Sequence, residues 1–512
     1  MGVNHCHGRM ANMLFDHHSG ILLHVTSLPG PYGIGDVGPQ AIQWLHFLKQ
    51  AGMGWWQVLP LGPTGYGDSP YQSYSSFAGN PNLASPDWLH EEGLIDIEHL
   101  DKRPVFPTTR VDFSKVIEWK RGLFQAAFMR LSALPTLREE YEQFRVREQG
   151  WLEDFSLFMT FKTQEKGRPW LEWPAAWRDR DPEAVQEAKR HFAATQSYFA
   201  FQQFLFFRHW DRLRSRMKQE QIQLIGDLPI YCAQDSADVW CRGELFELDK
   251  HGKPMRVAGV PPDMFAATGQ LWGNPLYRWE RHKEEGYAWW QARLKAVLRQ
   301  VDVVRLDHFR GFANYYAVPA DQDTAQNGTW VTGPGAGFLE TIKASLGTLP
   351  LIAEDLGGEA HPPVIELREK FELPGMKILQ FAFDEDVHHR FLPHNYPENC
   401  VAYTGTHDND TVKGWFAHAP EAERKFCLDY LKSDGLHLPW DMLQSLWASR
   451  ADLVVAPVQD FLELGSEARM NYPGKPLGNW GWRVSAEALT VELAERIANL
   501  NEQAGRTAGI KK

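Results

Sequence analysis

Eight short runs of branched and aromatic residues recur along this chain with helix-like periodicity between them, and that alternation limits the folds open to it. The runs lie at 21–26, 55–59, 223–230, 350–355, 377–381, 400–404 and 453–460, with one more opening at 301. Segments of helical period occupy 39–50, 201–219, 285–298, 336–346 and 486–499. Eight β–α units in order predict an α/β protein, a (β/α)8 TIM barrel. A doubly wound open sheet is the competing architecture.

The chain has 512 residues, long for one ordinary domain but within reach of a barrel with insertions. Residues 1–20 read as a loose lead-in and 21–512 as the barrel. Residues 84–200 are charged, rich in Trp and Phe, and helical in period. They read as a mostly helical insertion on the C-terminal face of the strands. Residues 235–275 show little period and carry Gly and Pro at a density that means fixed turns and no helix. This second segment reads as an irregular lid over a binding cleft.

The formal net charge of -12 argues against a nucleic-acid partner and against an anionic membrane surface. No run approaches the length of a membrane span. Five cysteines, odd in number and far apart, fit free thiols in a reducing cytoplasm. His5, Cys6, His7, His17 and His18 cluster near the start, but their spacing matches no metal-ligand pattern. No metal site is expected there.

Gly33, Gly35 and Gly38 form a literal G-x-G-x-x-G between a strand and a helix. A dinucleotide site is nevertheless not expected. Gly33 comes only at the seventh residue after the strand, where the fingerprint needs a tight turn, and the next strand ends without an acid for a ribose. No cofactor is predicted.

The run from Val301 to Arg310 carries the chemistry. Side chains alternate along a strand, so Arg305 and Asp307 share one face at its C-terminal end, where barrels collect catalytic groups. Four other strand ends add Asp227, Glu354 with Asp355, His407 with Asp408, and Asp460. Asp355 neighbours Glu354 and therefore points to the opposite face, as a structural group. Asp410 and Asp460 receive no role.

Converging carboxylates serve either a divalent metal or glycoside chemistry, and a binding protein built on a barrel is a third reading. A cation two residues from Asp307 favours the ionised form that a nucleophile needs and competes with a bound metal. The 21 Trp and the long Tyr/Ser loop at 62–76 also suit a sugar cleft, since flat aromatic faces meet the C–H faces of pyranose rings. Glycoside chemistry is favoured on these grounds.

Several stretches go further. They include Ser27–Gly30, Tyr66–Tyr71, Gly226–Ile230, Arg305–Gly311, Ala353–Gly357 and Gly405–Asn409. With these motifs the chain, from about residue 20 onward, resembles the amylomaltases, the 4-α-glucanotransferases related to α-amylases. Val25 departs from the Pro often found there.

The resemblance implies transfer of α-1,4-glucan segments by a retaining double displacement, with an α-amylase-type hydrolase as the alternative. It implies Asp307 as nucleophile, Glu354 as acid/base and Asp408 as a carboxylate gripping sugar hydroxyls. It implies Arg305 as partner of the nucleophile and Asp227 and His407 as subsite contacts. Tyr66 in the first loop, and Trp272 and Asn274 in the second, are expected substrate contacts. The segment 261–265 resembles a lid on the acceptor side. Expected partners are malto-oligosaccharides and glucans derived from glycogen or starch.

Overall fold

The computed structural model describes residues 14–262, 267–357, 361–384, 386 and 388–507. Eight parallel strands form its centre: β1 (His18–Leu22), β2 (Trp55–Gln57), β3 (Gln223–Leu228), β4 (Val303–Leu306), β5 (Leu351–Ala353), β6 (Gly375–Ile378), β7 (Cys400–Tyr403) and β8 (Leu453–Pro457). They neighbour one another in the order β6-β7-β8-β1-β2-β3-β4-β5. The Ala353 N–H donates to the Pro374 carbonyl at 2.9 Å and joins the two ends of that order. The sheet therefore closes into a barrel, and the open-sheet alternative falls.

Most barrel-strand residues are buried, because helices cover the outer face and side chains fill the interior. This is why most of the strands read as short, mainly apolar runs. β1 begins at His18, three residues inside the stretch read as a lead-in. Gly20 faces Trp55 across the β1–β2 pair, and a Cβ there would stand 2.8 Å from the Trp55 Cβ. No side chain fits at that approach. The far end of the chain locks β1 in place: Arg506, fully buried, donates to the carbonyls of His18, Trp447 and Ser449.

Between β2 and β3 the chain is helical, with long elements at Phe113–Arg130, Pro135–Arg147, Gln149–Gln164, Pro182–His191 and Ala193–Glu220. Asp112 and Asp181 cap two of these by accepting backbone N–H groups from Lys115 and Ala184. The longest buries Phe206, Trp210, Leu213 and Met217, one stripe at helical spacing, and ends at Gln221 in the left-handed region. No helix among the described residues is long and apolar enough to cross a membrane.

The segment read as irregular is more ordered than its sequence implies. It contains a short helix, Ala237–Cys241, and two strands, Arg256–Val260 and Gln270–Pro275. These strands join Asn314–Pro319 and Thr329–Thr332 in a four-stranded antiparallel sheet. Arg256 pairs with Pro319, so the partner that makes this a strand is distant in sequence. Local periodicity carries no trace of such a pairing. Tyr315, Ala317 and Ala258 face the main core, whereas Tyr316, Val318, Val257 and Ala325 form a separate outer cluster.

Candidate active site

β3 and β4 pair so that Asp227 lies directly opposite Arg305. Both side chains therefore project on the same side, and Asp307 follows two residues on. The Arg305 Nη1 donates to Asp227 Oδ1 and Oδ2 at 2.9 and 2.8 Å and to Asp307 Oδ1 at 2.9 Å. Burial opposes charge on Arg305, but the two carboxylates outweigh it and hold the guanidinium firmly protonated. Asp227 is wholly enclosed, whereas the Asp307 side chain stays 27% exposed at the mouth. The carboxylate that reaches solvent is thus aimed by one that does not.

Glu354 leaves the end of β5. Its Oε2 accepts the His308 backbone N–H at 2.7 Å, and its Oε1 accepts that of Leu356 at 3.1 Å. His308 points its N–H this way because it sits at φ 50°, in the left-handed region, directly after Asp307. The turn that ends the nucleophile's strand thereby positions the second carboxyl. Burial pushes the Glu354 carboxyl well above the usual range; Arg305 opposes this and Asp307 adds to it. Burial also lowers the His308 imidazole to about 4, so that ring stays neutral.

The loop after β7 brings the third carboxylate. His407 Nε2 lies 3.3 Å from Asp408 Oδ2, and Asn471 Nδ2 donates to Asp408 Oδ1 at 2.6 Å. Arg469 donates to the Asp408 carbonyl at 2.6 Å. Burial resists charge on both His407 and Asp408, but their mutual attraction wins: the imidazole rises and the carboxyl falls below its usual range. Asp410 and Asp460, unassigned in sequence, brace this loop. Asp460 accepts from the Thr404 hydroxyl and the Val412 N–H, and Asp410 from the Thr411 N–H and the Ser466 hydroxyl.

Tyr71 ties the two halves together. Its hydroxyl donates to Asp227 Oδ2 at 2.9 Å and lies 3.5 Å from His407 Nδ1. Its ring stacks on His407 at 5.0 Å with 16° between planes, and Trp480 flanks both rings.

The six strand-end residues Asp227, Arg305, Asp307, Glu354, His407 and Asp408 therefore meet at one mouth. The loop residues lie differently. Tyr66 is 71% exposed, on a single 3-10 turn at the rim, and Tyr71 is the ring of that loop that reaches the carboxylates. Trp272 stands edge-on to His308 at 4.9 Å. Asn274 is buried and donates to the Cys232 carbonyl at 2.8 Å.

Asp355 points away from the mouth, onto Arg368 at 2.6 Å and the Met376 N–H. In the G-x-G-x-x-G stretch, the Gly38 N–H is taken by Asp36. His5, Cys6 and His7, and most of the 261–265 stretch, lie outside the described residues. Sequence reasoning passed over Asn471 and the His308 N–H. The first touches Asp408 from 63 residues away, and the second is a backbone group that no residue type announces.

A family model described as 4-alpha-glucanotransferase matches residues 23–490. A 4-alpha-glucanotransferase of Thermus thermophilus is 48% identical over 95% of this chain and 98% of its own length. One of Synechocystis is 45% identical over the same shares of the two chains. The amylomaltase of Streptococcus agalactiae, solved in complex with acarbose, superposes with a TM-score of 0.92 at 35% identity, over 96% of this chain and 99% of that one.

Proposed function

Because the chain belongs to the 4-alpha-glucanotransferase family, we propose that Asp307, Glu354 and Asp408 transfer α-1,4-glucan segments by double displacement at the barrel mouth. The Asp307 carboxylate attacks the anomeric carbon while Glu354 gives its proton to the glycosidic oxygen. The C–O bond breaks, the leaving chain departs with that proton, and a glucosyl ester remains on Asp307. Glu354, now a carboxylate, takes the proton from the 4-hydroxyl of an acceptor. The acceptor oxygen attacks the ester carbon and releases Asp307. Two inversions restore the α configuration. Every bond and proton in this sequence belongs to a carboxyl group or a sugar, so no cofactor enters it.

One observation carries this reading: the two carboxyls sit in opposite settings. Asp307 accepts from a buried guanidinium and faces the opening, while Glu354 is enclosed and pushed toward its neutral form. That division is what a nucleophile and an acid require. Asp408, held by His407 and Asn471, keeps free acceptor capacity for sugar hydroxyls. Tyr66 at the rim and Trp272 beside His308 serve as stacking faces, and Asn274 shapes the floor through Cys232.

In this reading the Tyr66–Ser76 loop and the part of the 235–275 segment that carries Trp272 are the walls of the cleft, and the helical segment 84–200 is an insertion on the same face of the barrel. Malto-oligosaccharides are the substrates, with glycogen- or starch-derived glucans as larger donors. The acarbose bound to the Streptococcus agalactiae relative supports that class. A reducing cytoplasm suits the four described cysteines, all unpaired.

The test is to trap the ester. The Glu354→Gln protein, given an α-maltotriosyl fluoride, is expected to accumulate a glycosylated peptide that contains Asp307, because fluoride leaves without a proton while the second step lacks its base. An unmodified Asp307 under turnover contradicts the reading.

Asn471→Ala is expected to lower kcat about 10-fold or more with a smaller change in KM, since Asp408 loses one of its two holding groups and a loosely held carboxylate grips the transition state less well. Steady-state kinetics on maltotriose read this. An unchanged kcat removes Asn471 from the account.

A further inference from the structure

Trp330 lies on the edge strand Thr329–Thr332 with 43% of its surface open to solvent. It is held in a set orientation. The Arg310 guanidinium lies 3.8 Å from the indole centroid, and the Tyr316 ring meets it at 5.2 Å and 61°. A flat ring fixed in this way binds another ring with little ordering penalty.

Arg310 also connects the ring to the chemistry. It follows Asp307 by three residues, and its Nη1 donates to the carbonyl of Gly357, three residues after Glu354. Its Nε donates to Asn314 Oδ1 at 3.0 Å, and the Asn314 amide nitrogen lies 3.3 Å from His361 Nδ1. Thr332, exposed and two residues on, shares the indole's face of the strand. A partly open aromatic edged by hydroxyl, amide and imidazole groups fits a pyranose, with its apolar face and its ring of hydroxyls.

The position gives a direction. Glu354 protonates the oxygen of the leaving sugar, so departing and incoming chains both lie on Glu354's side of the broken bond. Arg310 holds the turn that continues from Glu354 on that side. From this we propose that Trp330, backed by Arg310, is a distal acceptor subsite that stacks on a glucose unit beyond those nearest the reaction and so selects longer acceptors. The proposal rests on Glu354 being the acid/base of a glucan transferase. It adds a residue on the outer face of the antiparallel sheet, away from the Trp272 side.

The experiment uses as donor an α-maltotriosyl fluoride lacking its terminal 4-hydroxyl, so that donor cannot act as acceptor. Fluoride release is followed with glucose or maltohexaose as acceptor. Trp330→Ala is expected to raise the ratio of the maltohexaose KM to the glucose KM roughly 3- to 10-fold. Trp330→Phe, which keeps a ring, is expected to restore most of that ratio. An unchanged ratio overturns the proposal, as does a parallel rise of both KM values, the pattern of a merely structural Trp. If the unaltered protein releases fluoride with no dependence on any acceptor, the transferase reading itself fails and the subsite with it.

Discussion

Asp307→Asn is expected to abolish transfer, with kcat down by at least about 10⁴-fold, because no other group can form the ester. The substitution keeps the shape and removes only the charge. Arg305 retains both contacts to Asp227, so the buried guanidinium is not left unpaired. The damage to stability is therefore small, about 1 kcal/mol for one lost charge-assisted hydrogen bond at a partly open site. Activity and thermal unfolding measured together separate the two effects. A variant that unfolds at nearly the unaltered temperature yet turns over is incompatible with Asp307 as nucleophile. Arg305→Met would be far less clean, since it strands the enclosed Asp227 carboxylate.

The second large effect falls on Glu354. Glu354→Gln is expected to slow transfer from maltotriose about 10²–10⁴-fold, the usual range for loss of a general acid. It should slow the first step on a glycosyl fluoride much less. The pH dependence sharpens this. Burial raises the Glu354 carboxyl, and the first step needs its proton. Activity is therefore present below that raised value and falls as pH climbs through it. Fluoride leaves without a proton, so the alkaline limb of kcat/KM seen with maltotriose should vanish when the unaltered protein is given the fluoride donor. A limb that persists unchanged belongs to another group.

How far the sequence speaks to all this differs by element. The barrel strands are legible because both their faces are covered, which leaves mainly apolar, β-branched or aromatic residues in most of them. The pairing of Arg305 with Asp307 follows from strand alternation, and so does the exile of Asp355 to Arg368. What is not legible depends on distance along the chain. The strand Arg256–Val260 is a strand because Asn314–Pro319 lies beside it, and its own Gly259, Pro261 and Pro262 argue the other way.

The choice between Tyr66 and Tyr71 is of the same kind. Both belong to one polar loop, and only the 3-10 turn with Gly67 at φ 68° swings the first outward while Tyr71 reaches Asp227. Asn471 looks like any loop asparagine until the chain returns it to Asp408.

The remaining issue is what attacks the ester. Water stands at about 55 M, and an acceptor hydroxyl wins only if the site holds it in line, which can supply effective molarities up to about 10⁵–10⁸ M. The Tyr66–Ser76 loop and the Trp272 face of the antiparallel sheet are the walls that could hold an acceptor and keep water from the ester. The direct measurement is the product profile from maltotriose alone, with reducing ends counted in parallel. Glucose together with chains longer than maltotriose, at a nearly constant number of reducing ends, is the result this account predicts. Reducing ends that rise in step with substrate loss, with no longer chains formed, would mean a hydrolase and would contradict it.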